Sequence, residues 1–238
     1  MSHPIPLELT KPSPMTVFQP SEYTALILSY LRDRPEIVRG RDICEIGTGN
    51  GVIAAQAALL GASSLTITDI EELGLEAARE CLSSIPTPPK RIEYLKGPVW
   101  DPVGSRTFDV ILTNLPHFPC ETLHLPGRLP SWAVGGVDGR DILDPFIDGI
   151  ARHLREDGVA IFTHNRFVDI ELTRRHVADA GLHLATSHDM IVPLHPLKVA
   201  ALSLGTSDHS ADLFQIGSHC FGRVCLAIVG RAGSGAAV

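Results

Sequence analysis

Residues 42–54 read Asp-Ile-Cys-Glu-Ile-Gly-Thr-Gly-Asn-Gly-Val-Ile-Ala. An apolar run ending in an acid leads into three glycines at alternate positions, and these lead into a second apolar run. The pattern reads as a short strand, a tight turn and a helix. Glycine lets the backbone turn sharply and approach a ligand closely. The first N–H groups of the helix that follows have no partner within it. This unit commits the chain to an α/β fold and marks the turn as a ligand site.

The same alternation continues along the chain. Strands are expected near 42–46, 65–69, 91–95, 108–113, 158–163 and 184–192, and helices at 51–60, 71–84, 141–156 and 167–180. Ser21 to Arg34 reads as a further helix, stopped by Pro35. Alternating strands and helices imply a parallel sheet with helices on both faces. Ligands in such sheets bind at the carboxyl ends of the strands, at the point where strand order reverses. A last strand, Gly222 to Gly230, follows a connection without a clear helix. Residues 1–15 are proline-rich and read as an arm, 16–230 as the ligand-binding domain, and 231–238 as a disordered tail.

An acid two residues before Gly-x-Gly-x-Gly resembles the first motif of the class I methyltransferases that use S-adenosylmethionine. A dinucleotide-binding turn has Gly-x-Gly-x-x-Gly. Here the third glycine comes one residue early, at Gly51, and Val52 takes the dinucleotide position. The resemblance implies that Gly47, Thr48, Gly49, Asn50 and Gly51 cradle the cofactor. It also implies that Glu45 reaches the cofactor's amino-acid or ribose end.

Ser64 to Asp69 alternates β-branched residues and reads as the second strand. It ends in Asp69, eighteen residues after Gly51. An acid at that strand end accepts hydrogen bonds from ribose hydroxyls; capping of the helix that starts near Glu71 is the plainer role. Ribose binding by Asp69, with Ile70 beside it, is the favoured reading.

Phe108 to Thr113 reads as the fourth strand and runs into Asn114-Leu115-Pro116-His117. This resembles the Asn-Pro-Pro-Tyr motif of methyltransferases that modify planar nitrogen, in adenine amino groups and glutamine amides. The resemblance implies that Asn114 and the Leu115 carbonyl accept the substrate's N–H bonds. His117 stands in place of the Tyr, where it either stacks on the substrate or removes its proton. Leu115 replaces the first Pro. Two further segments resemble the HemK-type glutamine methyltransferases. Gly135-Gly136-Val137-Asp138-Gly139 matches their Gly-Gly-x-Asp-Gly, and Val17 to Thr24 matches an N-terminal stretch that lies over the cofactor pocket. The four motifs occur in the family's order. The family's fold is a seven-stranded, mainly parallel Rossmann-like sheet whose last strand is antiparallel beside the sixth.

One expected motif is weak. Where the family places a polar residue against adenine, this chain has Lys96-Gly97-Pro98-Val99-Trp100-Asp101. Trp100 either flanks the adenine or packs in the core, and Asp101 is displaced by the extra Pro.

Composition narrows the function. The chain has 238 residues, 44% hydrophobic and 20% charged, which are globular values. Its net charge of -7 argues against a nucleic-acid surface, which needs a basic patch. Five cysteines stand at 44, 81, 120, 220 and 225 with no Cys-x-x-Cys, so a disulfide framework is not expected and a reducing cytoplasm is the simplest setting. No apolar run approaches the ~20 residues of a membrane helix. The eleven histidines lack the close spacing of a metal site.

Two long connections are candidate substrate walls: 118–134, with His124, Arg128 and Trp132, and 193–219, with His195, Lys198 and His209. The altered Asn-Leu-Pro-His motif and the acidic balance direct the expectation to N-methylation of a small-molecule amine or amide. Protein glutamine methylation is the runner-up. Internal displacement on S-adenosylmethionine, releasing methylthioadenosine, is a third outcome, and a turnover-free cofactor-binding module is the non-enzymatic one. Oligomeric state is left open.

Overall fold

The computed structural model describes residues 18–125, 132–203 and 212–232. Helix α1 (Glu22–Asp33) opens the described chain. Two strand–helix units and a third strand follow: β1 (Asp42–Ile46), α2 (Val52–Leu59), β2 (Ser64–Asp69), α3 (Glu72–Ser83) and β3 (Arg91–Lys96). Next come β4 (Phe108–Thr113), α4 (Leu143–His153), β5 (Leu154–Asn165), α5 (Ile170–Asp179) and β6 (His183–Pro193). A short helix α6 (Pro196–Ser203) and the hairpin of β7 (Leu213–Ile216) and β8 (His219–Gly230) complete the elements.

Strand order in the sheet is β3-β2-β1-β4-β5-β8-β6, with β7 paired to β8. The first five strands run parallel, while β8 is antiparallel to both β5 and β6. The α/β class, the parallel sheet and the antiparallel last strand agree with the sequence expectation. The strand count is eight, not seven. The extra strand, β7, and helix α6 both lie within the 193–219 connection, which the sequence reading leaves without regular elements. β5 also begins earlier than expected, at Leu154, and the preceding helix stops at His153.

The central strands carry near-continuous apolar runs because both faces are covered. Ile43, Cys44, Val110, Ile111, Leu112, Ala160 and Ile161 are fully buried. In α1, buried positions Thr24, Ile27 and Leu31 recur at helical spacing and turn one face to the sheet. Order reverses between β1 and β4, so their carboxyl ends splay loops to opposite sides and leave a crevice there. The Gly47–Gly51 turn and the Asn114–His117 segment both open into it.

The N-terminal arm, the end of the tail, Arg128 and His209 lie outside the described residues. Among the described residues no helix is long and apolar enough to cross a membrane.

Candidate active site

A cavity of about 450 Å³ occupies the crevice. One half is built from the turn after β1. Gly47, Gly49 and Gly51 all sit at positive φ, at 67°, 58° and 78°, a region that side-chain-bearing residues rarely enter. Gly51 has a second reason to be glycine: a Cβ there would lie 2.6 Å from the Cα of Ala78 in α3. That close approach of α2 to α3 explains the glycine at 51.

Asp69 ties the turn to the end of β2. Its Oδ2 accepts from the Gly49 N–H at 2.8 Å and its Oδ1 from the Glu71 N–H at 2.9 Å. Burial raises the pKa of this carboxyl, against the pull of those N–H groups. Each oxygen keeps a lone pair for a ligand. Asp69, Ile70 and Glu71 all line the cavity. Glu71, read from sequence only as a helix start, is an additional carboxylate on this wall.

Glu45 is placed differently from expectation. It lies behind the turn, 1% exposed, and does not line the cavity. Its Oε2 accepts from the Thr48 hydroxyl at 2.8 Å and the Ala54 N–H at 2.9 Å. Burial pushes its pKa up to about 8. Through these two bonds the Glu45 carboxyl braces the glycine turn from inside.

Trp100 is also placed differently. Its indole stacks between Phe146 and His153, at ring distances of 5.4 and 4.4 Å. Its N–H donates to the Phe146 carbonyl at 3.0 Å. A Cβ on Gly149 would fall 1.9 Å from this nitrogen, so α4 carries glycine there to admit the ring. With its polar atom satisfied in the core, Trp100 does not face the cavity. Gly97, Pro98 and Val99 line it instead. Val99, a β-branched residue, is held at φ 40°, a conformation that costs energy and recurs at ligand sites.

The other half of the cavity is formed after β4. Asn114 Oδ1 accepts from the Thr163 hydroxyl at 2.7 Å, and its Nδ2 faces Thr24 Oγ1 at 3.5 Å. These contacts from β5 and α1 fix the amide's orientation. The His117 ring is 3% exposed and locked on both sides. Its Nε2 accepts from the Asn165 N–H at 2.8 Å, so the proton resides on Nδ1, which donates to the Leu115 carbonyl at 2.6 Å. Burial lowers the His117 pKa to about 4, with the nearby Lys198 and Arg140 charges acting in the same direction. His117 is thus neutral at ordinary pH, and no lone pair is left on it to take a substrate proton.

The Gly-Gly-x-Asp-Gly segment supports this half. A Cβ at Gly135 would lie 2.7 Å from the His117 Cα, and one at Gly139 would lie 2.7 Å from the His117 carbonyl. The Gly135 N–H donates to the Phe118 carbonyl at 2.9 Å. The glycines let this loop pack directly beneath the motif backbone. Arg140, 4% exposed, anchors it through Asp144 at 2.6 Å and the Val168 carbonyl at 2.9 Å.

Residues before and within α1 close the cavity. Phe18 stands over Gly49, 3.3 Å from where a Cβ would be, and its ring meets Trp132 edge-on at 6.1 Å. Tyr23 lies edge-on to His117 at 6.3 Å and donates its hydroxyl to Asn165 Oδ1 at 2.8 Å. Tyr23 belongs to the Val17–Thr24 segment that the sequence places over the pocket, whereas sequence reading did not single out Asn165. Both line the cavity, as do Trp132 from the first long connection and Lys198 from the second. His124 and His195 do not line it.

Known proteins agree with this arrangement. The family described as methyltransferase small domain matches residues 19–123. A Methanocaldococcus jannaschii protein named "Putative protein N5-glutamine methyltransferase" is 30% identical over 186 residues, covering 77% of this chain and 89% of the relative. The release factor glutamine methyltransferase of Gloeobacter violaceus is 28% identical over 129 residues, 50% of this chain and 44% of that protein. Among solved structures, a chain of the E. cuniculi Mtq2–Trm112 complex superposes with a TM-score of 0.58 at 14% identity, covering 90% of this chain and 98% of that one. The ribosomal protein L11 methylase of Lactobacillus delbrueckii subsp. bulgaricus gives 0.56 at 20% identity, covering 90% and 81%. The two structures show the fold alone. Together with the extended match to the archaeal relative, they place this chain in the HemK-like family of class I methyltransferases, enzymes that use S-adenosylmethionine as methyl donor.

Proposed function

We propose that this enzyme N-methylates a planar amide, and that the acceptor is a glutamine side chain of a protein. The observation that carries the reading is the placement of Asn114 and the Leu115 carbonyl in the same cavity as Asp69 and the Gly47–Gly51 turn. The archaeal relative and the release-factor methyltransferase support glutamine as the acceptor.

The turn half fits the cofactor. Asp69 and Glu71 present carboxylate oxygens for ribose hydroxyls, and Ile70 and Val99 give apolar surface for adenine. Gly47, Thr48, Gly49 and Asn50 line this half of the cavity, and at Gly49 a side chain would crowd Phe18, 3.3 Å from where its Cβ would be. Glu45, Gly51 and Trp100 act indirectly: Glu45 braces the turn, Gly51 admits α3, and Trp100 packs α4.

When bound, S-adenosylmethionine supplies a methyl group on a sulfonium, open to in-line displacement. The protein's contribution is alignment. Asn114 Oδ1 and the Leu115 carbonyl each have one lone pair in use, to Thr163 and to His117, and one remaining. Those remaining pairs accept the two N–H bonds of an amide, hold its nitrogen toward the methyl, and stabilise positive charge growing there; the new N–C bond would replace the sulfur–carbon bond, with S-adenosylhomocysteine leaving and the surplus N–H proton released to solvent. His117 holds the Leu115 carbonyl in place. Tyr23 brings an aromatic ring and a hydroxyl to the acceptor side, where the family's motif has its own Tyr.

A small-molecule amide or amine is the second reading, favoured by Leu115 and His117 at positions where the motif has Pro and Tyr. Mass spectrometry of the protein incubated with S-adenosylmethionine and cell extract, fractionated by size, separates the two. Methylated glutamine in a protein supports the first reading, and a methylated small molecule the second. Methylthioadenosine released without extract overturns both.

A further inference from the structure

The cavity has a charge layout that the motif residues do not explain. Among the described residues lining it, three carry formal charge: Asp69, Glu71 and Lys198. The two carboxylates stand at the end of β2, on the turn half. Lys198 stands on the Asn114 half. Its Nζ lies 4.9 Å from the centre of the Phe118 ring and 6.0 Å from that of Tyr23. The lysine is half-buried. Its charge acts on two neighbours of the acceptor segment, lowering the pKa of His117 and opposing the rise of Cys120.

The backbone that delivers Lys198 is held firmly. Leu194, 7% exposed, donates its N–H to the Cys220 carbonyl at 2.9 Å, tying the end of β6 to β8. The chain then turns at His195, whose carbonyl accepts from the Lys198 N–H at 2.8 Å. An ammonium laid on aromatic faces is partly stripped of water. A charge so placed gains most from a hydrogen bond to an anion, and such bonds are about twice as strong as neutral ones. His117, already bonded on both sides, offers an acceptor molecule nothing to compete with this contact.

We infer that Lys198 selects an acceptor carrying a carboxylate beside the amide to be methylated. The inference rests on the reading of Asn114 and Leu115 as the amide-binding pair. The carboxylate belongs either to the glutamine's own backbone terminus or to a neighbouring acidic side chain. The chemistry is the same, a carboxylate within one side chain's reach of the amide.

Two pairs of probes test it, each setting a free carboxylate against its methyl ester: N-acetylglutamine against N-acetylglutamine methyl ester, and an acetylated Gln-Glu dipeptide amide against its side-chain methyl ester. Calorimetric binding is measured to protein saturated with S-adenosylhomocysteine, and turnover is measured separately with S-adenosylmethionine. The carboxylate member of at least one pair should bind tenfold or more tighter, and the pair that discriminates identifies the source. Lys198→Met, which keeps the apolar stem over Phe118, should bring both members of that pair to one affinity, and Lys198→Arg should retain the preference. Equal binding by the wild type, or a preference that survives in Lys198→Met, overturns the inference. A tenfold loss of S-adenosylhomocysteine affinity in Lys198→Met also overturns it, by assigning the ammonium to the cofactor's own carboxylate. Charge-selective binding without turnover leaves Lys198 as inferred and removes amide methylation. Turnover without charge selectivity does the reverse.

Discussion

The Nε2 of His117 lies 2.8 Å from the backbone nitrogen of Asn165 and accepts its hydrogen. That bond decides the tautomer, and the tautomer decides what the ring does. With its proton on Nδ1, His117 donates to the Leu115 carbonyl at 2.6 Å. It therefore links β5 to the segment after β4 and keeps no lone pair to take a proton.

His117 should not titrate near neutrality. Its pKa is lowered to about 4 by burial, so the rate of methyl transfer should show no inflection from this ring around pH 6.5, the ordinary histidine value. The sign for stability follows. Below about pH 6.5 the unfolded chain takes up a proton that the native ring refuses until about pH 4. This group's contribution is present at neutral pH and is lost as pH falls through that window. NMR of the imidazole C–H resonances checks it, and a midpoint near 6.5 would overturn the assignment. His117→Phe should cost about 1–3 kcal/mol in urea unfolding, since it leaves a buried N–H and a carbonyl unpaired.

Asn114→Ala should separate binding from chemistry. Affinity for S-adenosylhomocysteine should stay within about threefold, whereas turnover should fall by about a hundredfold or more, equivalent to ~2.7 kcal/mol. If turnover persists near the wild-type rate, the amide is held elsewhere.

Asp69→Ala should weaken cofactor binding at least tenfold, about 1.4 kcal/mol. Two effects combine: the carboxylate proposed to accept from the ribose is lost, and so are the bonds that tie Gly49 and Glu71 to β2. Asp69→Asn retains one acceptor oxygen and should fall between. Calorimetric titration reads both variants, and unchanged affinity in Asp69→Ala takes this residue out of the cofactor site.

Glu45 offers a test of buried charge. Its native pKa of about 8 exceeds the ordinary value of 4.5. Between those values the unfolded chain is ionised while the native carboxyl holds its proton. This group's stability contribution is full at low pH and is lost as pH rises through the window, at up to about 1.4 kcal/mol per pH unit. Glu45→Gln does not ionise. Unfolding free energies of the two proteins, compared at about pH 5 and about pH 8, should therefore shift in favour of the variant at the higher pH. A difference that stays constant would show that the native carboxyl is ionised throughout.

Trp100→Phe should reduce stability by about 1–3 kcal/mol, through loss of the indole donor and of packing against His153. Cofactor affinity should remain within about twofold. A larger loss of affinity would return Trp100 to the adenine site.

Much of the site was legible because its parts are local. Gly47, Gly49 and Gly51 announce a turn through their own conformational freedom, and Asp69 and Asn114 mark strand ends within a few residues of an apolar run. Lys198 was named only as part of a long connection, Tyr23 only within the Val17–Thr24 segment and Asn165 not at all, so the meeting of Tyr23, Asn165 and Lys198 was not legible. They are far apart in sequence and come from a helix, a strand and a second helix, so nothing short of the packed chain places them together.

The α/β alternation, the position of the glycine turn and the order of the motifs can be read along the chain, because each depends on backbone preference and on apolar periodicity over a dozen residues or fewer. Tertiary structure decided which side of the sheet each side chain serves. Glu45 and Asp69 are both acids at strand ends, yet one is sealed behind the turn with its pKa near 8 and the other faces the cavity. Trp100 and Val99 are adjacent, yet one is core and the other wall. Side chains on a strand alternate between faces, and a kinked loop breaks that alternation. A difference of one residue therefore reverses a role, and only the packed neighbours on each side fix which role it is.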